Sequence, residues 1–303
     1  VITSFEHAIP VGTWIRGKWN KNQYRVERLL GEGANGKVFL VSRGKRLYAL
    51  KVGFDPVEHQ SEVNALKALS KSSTSFRDML VESDDFSREG VEFPYCVMRY
   101  IKGKSFTDFI RQYGADWIPL IGLNLLRKLT ELHASGFVFG DLKAENIIIT
   151  GYGGVELIDF GGMTAKGRSV KQFTEIYDRG FWNGGARTAD EGYDLFSFAV
   201  LLLSATDRER RFQGAASFLP QNRSVEWLLD LLKEREQLAP AAPLLRKALT
   251  GRYDSSRQML ADWRARSPGT QAIRKKPVNG GWIKICFAVS LIVFGTTLYW
   301  FWP

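Results

Sequence analysis

The chain has 303 residues, 45% hydrophobic and 24% charged, which leaves room for one large domain or two lobes and excludes a disordered polymer. Its two cysteines, Cys96 and Cys286, are too few for a disulfide framework, and no cysteine–histidine cluster has the spacing of a structural zinc site. The net charge of +10 is uneven: six basic residues and no acidic one follow Asp262, leaving +4 for everything before.

Residues 1–23 read as an N-terminal extension. Glu6, His7 and the lack of a long apolar core do not suit a signal peptide. Tyr24 to Leu30 and Lys37 to Ser42 are rich in strand formers, and Gly31-Glu32-Gly33-Ala34-Asn35-Gly36 connects them. A dinucleotide fold needs a helix directly after the last glycine. Val38 to Val41 is instead strand-like, so the glycines form a hairpin flap whose backbone N–H groups can approach phosphates.

In the next strand, Leu47 to Val52, Leu47, Ala49 and Lys51 share a face. Ala49 is small enough for an adenine ring to lie against it. An unpaired Lys51 on that face is costly. Asp55-Pro56 starts a helix, with Glu58 completing something like a capping box. Along this helix Glu62, Leu66 and Leu69 fall on one side, and a carboxylate on an apolar stripe calls for Lys51 as its partner.

Further on, Leu125 to His133 reads as a helix, Phe137 to Phe139 as a short strand and Asp141 to Asn146 as a loop. Two strand-like runs follow, Ile147 to Ile149 and Val155 to Ile158, joined by a glycine-rich turn. That hairpin brings Asn146 and Asp159 to matching ends of adjacent strands, two oxygen ligands suited to Mg²⁺ on nucleotide phosphates. Asp141 can accept the proton of an incoming hydroxyl, and Lys143 can neutralise charge on a transferred group. In this order the motifs supply the charged groups that moving the terminal phosphoryl group of ATP onto a hydroxyl requires.

Ile285 to Trp302 is an eighteen-residue apolar run, about 27 Å as a helix. Trp282 flanks one end and Tyr299, Trp300 and Trp302 the other, as at membrane interfaces. The basic residues precede it and only Pro303 follows, so the expectation is a tail anchor at 282–303, a basic juxtamembrane linker at 264–281 and a cytoplasmic N-terminal part. The linker's charges suit anionic lipid headgroups. Nucleic acid is the alternative partner, though the tract lacks interleaved aromatics.

Over residues 24 to 263 the chain resembles the protein-kinase superfamily, and within it the eukaryotic-like serine/threonine kinases of bacteria, in a short form with a C-terminal membrane anchor. The resemblance implies a bilobal α+β fold, with an N-lobe at 24–98, a C-lobe at 99–263 and a single transmembrane helix after them. It implies ATP with Mg²⁺ as cofactors, protein Ser/Thr side chains as acceptors, Asp141 and Lys143 as catalytic residues, and Asn146 and Asp159 as metal ligands. ATP contacts are implied for Leu30, Gly31, Gly33, Gly36, Val38, Ala49, Lys51, Glu62, Met98, Tyr100 and Ile148, with Met98 to Ile101 as the hinge. Asp194 resembles the aspartate that braces the catalytic loop, Arg252 the late structural arginine, and His133 a structural histidine.

There are departures. Phe139 and Gly140 replace the histidine and arginine before the catalytic aspartate, which removes the family's receptor for an activation-segment phosphate. Asn183-Gly184-Gly185-Ala186-Arg187 stands where Ala-Pro-Glu usually ends that segment. Autophosphorylation is expected at Thr164, Ser169 or Thr174. One alternative is a small-molecule phosphotransferase of the aminoglycoside and choline kinase type, which shares the glycine before the catalytic aspartate; Lys143 and the full glycine triplet stand against it. Another is a membrane-anchored pseudokinase scaffold, against which every catalytic position holds a competent residue.

Overall fold

The computed structural model describes residues 9–33, 35–72, 75–207, 209–266, 290 and 295–297. The chain falls into two units parted between Trp263 and Arg264. In the second, the described residues 264–266, 290 and 295–297 are helical. Among the described residues no helix is long and apolar enough to cross a membrane. The transmembrane helix expected at 282–303 lies almost wholly outside the described residues, as does the basic linker beyond Arg266, so neither is part of the described fold.

The first unit opens with a six-stranded antiparallel sheet. Its strands are β1 (Trp14–Arg16), β2 (Gln23–Gly33), β3 (Gly36–Arg43), β4 (Arg46–Gly53), β5 (Leu80–Arg88) and β6 (Val91–Arg99), in the order β1-β2-β3-β4-β6-β5. Helix α1 (Pro56–Ser72) crosses between β4 and β5. Alternation puts Tyr24, Val26, Phe39, Val41, Leu50, Val52, Tyr95 and Val97 into one apolar layer.

The stretch before residue 24 is not separate from this lobe. Trp14–Arg16 pairs with Gln23–Arg25, and the buried carboxylate of Asp84 accepts from the backbone N–H of Trp19 and Asn20. Gly17 allows the approach, since a Cβ there would lie 2.3 Å from Asp84 Oδ2. A three-residue strand between glycines leaves no alternation long enough to recognise.

The helical lobe follows. Its elements are β7 (Lys104–Ser105), α2 (Phe106–Tyr113), α3 (Ile118–Ala134), β8 (Phe137–Val138), β9 (Ile147–Thr150), β10 (Gly154–Leu157), β11 (Thr164–Ala165), α4 (Glu191–Ala205), α5 (Arg211–Ala215), α6 (Val225–Lys233), α7 (Ala242–Leu249) and α8 (Ser256–Arg266). Helix α4 is buried from Tyr193 to Leu203, as a helix apolar on all faces must be, and Asp190 caps its first turn by accepting from Tyr193 N at 2.8 Å. The core around it extends to Val63, Leu66 and Leu69 of α1.

Candidate active site

Three elements of the small lobe converge on Lys51. Strand β4 carries it, and its register sets Lys51 beside Val38 of β3 and Ala49 beside Met98 of β6. Asp55 starts α1 by accepting from Val57 N (2.7 Å) and Glu58 N (2.9 Å) with one oxygen. The helix then delivers Glu62, whose Oε2 lies 2.8 Å from Lys51 Nζ. Leu30, Val38 and Ala49 keep partial exposure, as do Tyr100 beyond β6 and Ile148 on β9, while Met98 is buried.

The glycine turn differs in its three members. A Cβ on Gly36 would sit 2.1 Å from Val52 O, so glycine is obligatory for the hairpin to close. A Cβ on Gly31 or Gly33 would meet nothing within 4 Å, so beside these two the backbone faces open space.

From the larger lobe come Asp141, Lys143, Asn146 and Asp159. Ile158 N donates to Asn146 O at 2.9 Å, which brings Asn146 and Asp159 together at the end of the β9–β10 hairpin. Asp159 has φ +59°, a left-handed backbone that costs a non-glycine residue about 1 kcal/mol. Its Oδ1 accepts from Lys51 Nζ at 2.8 Å, so one ammonium joins the sheet, α1 and the catalytic lobe. Asn146 Nδ2 donates to Asp141 O at 2.9 Å and to Asp141 Oδ2 at 3.3 Å. Lys143 Nζ lies 2.6 Å from Asp141 Oδ2.

The electrostatics follow from two carboxylates sharing one ammonium. Burial alone would depress Lys51, but Glu62 and Asp159 outweigh it and hold its pKa well above the ordinary lysine value. Burial lifts the Glu62 carboxyl above its usual range, more than Lys51 lowers it. Asp159, also opposed by burial, is carried below its usual range by Lys51. Lys51 is therefore charged, and an excess of negative charge remains at Asp159, whose side chain is 48% exposed.

This donor set fits a hard divalent cation. The Asn146 amide nitrogen is engaged by Asp141, leaving its Oδ1 free to ligate, and Asp159 offers an exposed carboxylate oxygen. Among the described residues no group of three or more His, Cys, Asp or Glu could hold a metal without other ligands, so the remaining positions would fall to phosphate and water oxygens.

A buried network supports the catalytic loop. Asp194 accepts from Phe139 N at 2.7 Å and Gly140 N at 3.0 Å, and His133 Nε2 lies 2.8 Å from its Oδ2. The Phe139 ring meets Phe160 edge-on at 5.8 Å, and Phe160 meets Phe76 likewise at 6.0 Å. Gly140 has φ +80°, and a Cβ there would lie 2.6 Å from Gly162 O, so this loop geometry admits no side chain before Asp141.

Sequence reasoning named Thr174 only as an autophosphorylation candidate and missed its contact with the catalytic pair. Thr174 Oγ1 donates to Asp141 Oδ1 at 2.8 Å and accepts from Lys143 Nζ at 3.3 Å. Its only signal was its place in the segment after Asp159. Two expectations need correction. Thr164 is buried, with its hydroxyl donating to Gly162 O at 2.9 Å, so it is not an accessible acceptor. Arg252 lies exposed, with no ion pair to its side chain among the described residues; Arg187–Asp178 (2.7 Å) and Arg179–Asp190 (2.6 Å) brace the end of the activation segment instead.

A lysine–carboxylate bridge between a small sheet lobe and a helical lobe, beside an asparagine and two aspartates, defines a nucleotide-dependent phosphotransferase. The protein kinase domain family matches residues 24–249, and the chain belongs to that family. It is similar to the serine/threonine-protein kinase YabT of Bacillus subtilis (strain 168), 36% identical over 283 residues, 92% of this chain and 81% of that one. It is also similar to the probable serine/threonine-protein kinase PknB of Corynebacterium glutamicum, 22% identical over 269 residues, 80% of this chain but 42% of that one. The solved structure of vaccinia related kinase 3 shares the fold, with a TM-score of 0.60 at 15% identity over 91% of this chain and 95% of the other. The chain is an ATP-binding serine/threonine protein kinase with a bilobal α+β fold.

Proposed function

We propose that the chain transfers the terminal phosphoryl group of ATP to protein Ser or Thr hydroxyls with Asp141 as the residue that receives the acceptor's proton. The bond from the acceptor oxygen to phosphorus forms as the bond to ADP breaks, and the proton passes to the Asp141 carboxylate. Lys143, 2.6 Å from that carboxylate, offsets charge developing on the transferred group. Gly31 and Gly33 leave room for phosphates against the backbone, and Leu30, Val38, Ala49, Met98, Tyr100 and Ile148 supply the apolar slot for the base. Mg²⁺, held by Asn146 and Asp159, would neutralise phosphate charge when bound. The observation that carries this reading is the double bridge of Lys51 to Glu62 and Asp159, each at 2.8 Å.

The test is phosphoamino acid analysis after incubation with ATP, Mg²⁺ and a generic basic protein. Phosphoserine or phosphothreonine is expected from wild type and none from Lys51→Met or Asp141→Asn. Robust transfer by Lys51→Met counts against the assignment.

We also propose that the apolar run 285–302 tethers the kinase to the cytoplasmic face of a membrane, with the basic residues 264–284 against anionic lipid. Carbonate extraction of cell membranes tests this, and release of the intact chain into the soluble fraction overturns it.

A further inference from the structure

Glu62 reaches Lys51 only if α1 is held at the right rotation. Glu62 is buried and meets Lys51 through one carboxylate oxygen at 2.8 Å, so a small turn of the helix breaks the contact. Adjacent residues on a helix diverge by about 100°, so fixing the residue next to Glu62 fixes where Glu62 points. That residue is Ser61. Its Oγ accepts from Lys171 Nζ at 2.8 Å, across 110 positions of sequence.

Lys171 is well placed to act as such a tether. Val170, just before it, is buried with Val138, Ala189 and Tyr193, and its N–H donates to Arg187 O at 2.9 Å. Ser169 bridges Thr188. Three residues beyond Lys171, Thr174 donates to Asp141. One anchored segment thus touches both the proposed proton acceptor and the helix that carries the Lys51 partner.

We infer that Lys171, acting through Ser61, is a positioning residue that sets the rotation of α1 and so couples the activation segment to the Lys51–Glu62 pair. The inference rests on the kinase reading above. Lys171 meets Ser61 from the large-lobe side, at a polar position of α1 just before Val63, Leu66 and Leu69, which join the main core.

The test uses the full chain, with kcat and both KM values measured on ATP and a generic basic protein. Lys171→Met is expected to lower kcat about fivefold, the size of one exposed hydrogen bond, with acceptor KM and melting temperature unchanged. Lys171→Asp should be slower still, and combining it with Ser61→Lys, which sets an ammonium on α1 opposite the new carboxylate, should bring kcat back to within about twofold of wild type. A folded double variant no faster than Lys171→Asp alone overturns the inference. So does a Lys171→Met defect confined to acceptor KM, which would mark an acceptor contact. If wild type itself transfers nothing, the kinase reading fails separately. Amide exchange over residues 60–66 then decides: Lys171→Met must accelerate it, and unchanged exchange sinks the tether.

Discussion

Thr174 Oγ1 donates to Asp141 Oδ1 at 2.8 Å while accepting from Lys143 Nζ at 3.3 Å, so a hydroxyl of the activation segment stands between the two proposed catalytic side chains. The segment's fold is thereby tied to the orientation of the Asp141 carboxylate. Thr174→Val, which keeps the shape and removes the donor, is expected to lower kcat about tenfold with little change in KM for ATP. Thr174→Ser should retain most of the rate. Steady-state kinetics on the two variants check this, and equal rates for Val and Thr would remove the role.

The Lys51 bridge carries a stability consequence distinct from its chemistry. Lys51→Met leaves Glu62 buried without its ammonium, and a loss of about 3 kcal/mol is expected in urea unfolding. Lys51→Met combined with Glu62→Leu should recover much of that stability and none of the transfer. A double variant as unstable as the single one would show that the buried charge was not the cause.

His133 gives the protein a pH dependence on the alkaline side. Burial alone would lower its pKa, but Asp194 at 2.8 Å and Glu191 at 3.5 Å raise it above the ordinary 6.5. A group with a raised folded pKa stabilises fully below the unfolded value and loses that contribution as pH rises through the folded one. Wild type is therefore expected to melt progressively lower above pH 6.5, and His133→Gln to show a flatter profile. Melting curves from pH 6 to 9 decide it; parallel profiles exclude His133 as the source.

The three glycines of the β2–β3 turn should separate by what they disturb. Gly36→Ala drives a Cβ to within 2.1 Å of Val52 O and is expected to destabilise the small lobe by about 1–3 kcal/mol. Gly33→Ala points into open space, so its melting temperature should hold while KM for ATP rises several-fold. Nucleotide titration and thermal melting on the same preparations read both effects.

Much of the site was legible because its chemistry is local or compensatory. A lysine on a strand face toward the core and a glutamate on an apolar helical stripe each call for a partner, and the 2.8 Å pair answers both. The β9–β10 hairpin could be read from two short apolar runs around a glycine turn, and it fixes Asn146 against Ile158. Element ends were less legible. Helix α3 begins at Ile118 rather than Leu125, because Pro119 suits a helix start and the preceding turn feeds directly into it.

The chain's order of charged and glycine residues determined by itself which chemistry the protein can perform, since periodicity and charge compensation act over a few residues and survive in one dimension. Tertiary structure alone decided that Thr174 meets Asp141, that Lys171 meets Ser61, and that residues 14–16 belong to the small lobe's sheet. Each of those contacts joins segments with no local pattern, and only the packed tertiary structure sets which hydroxyl or carboxylate lies within hydrogen-bonding reach.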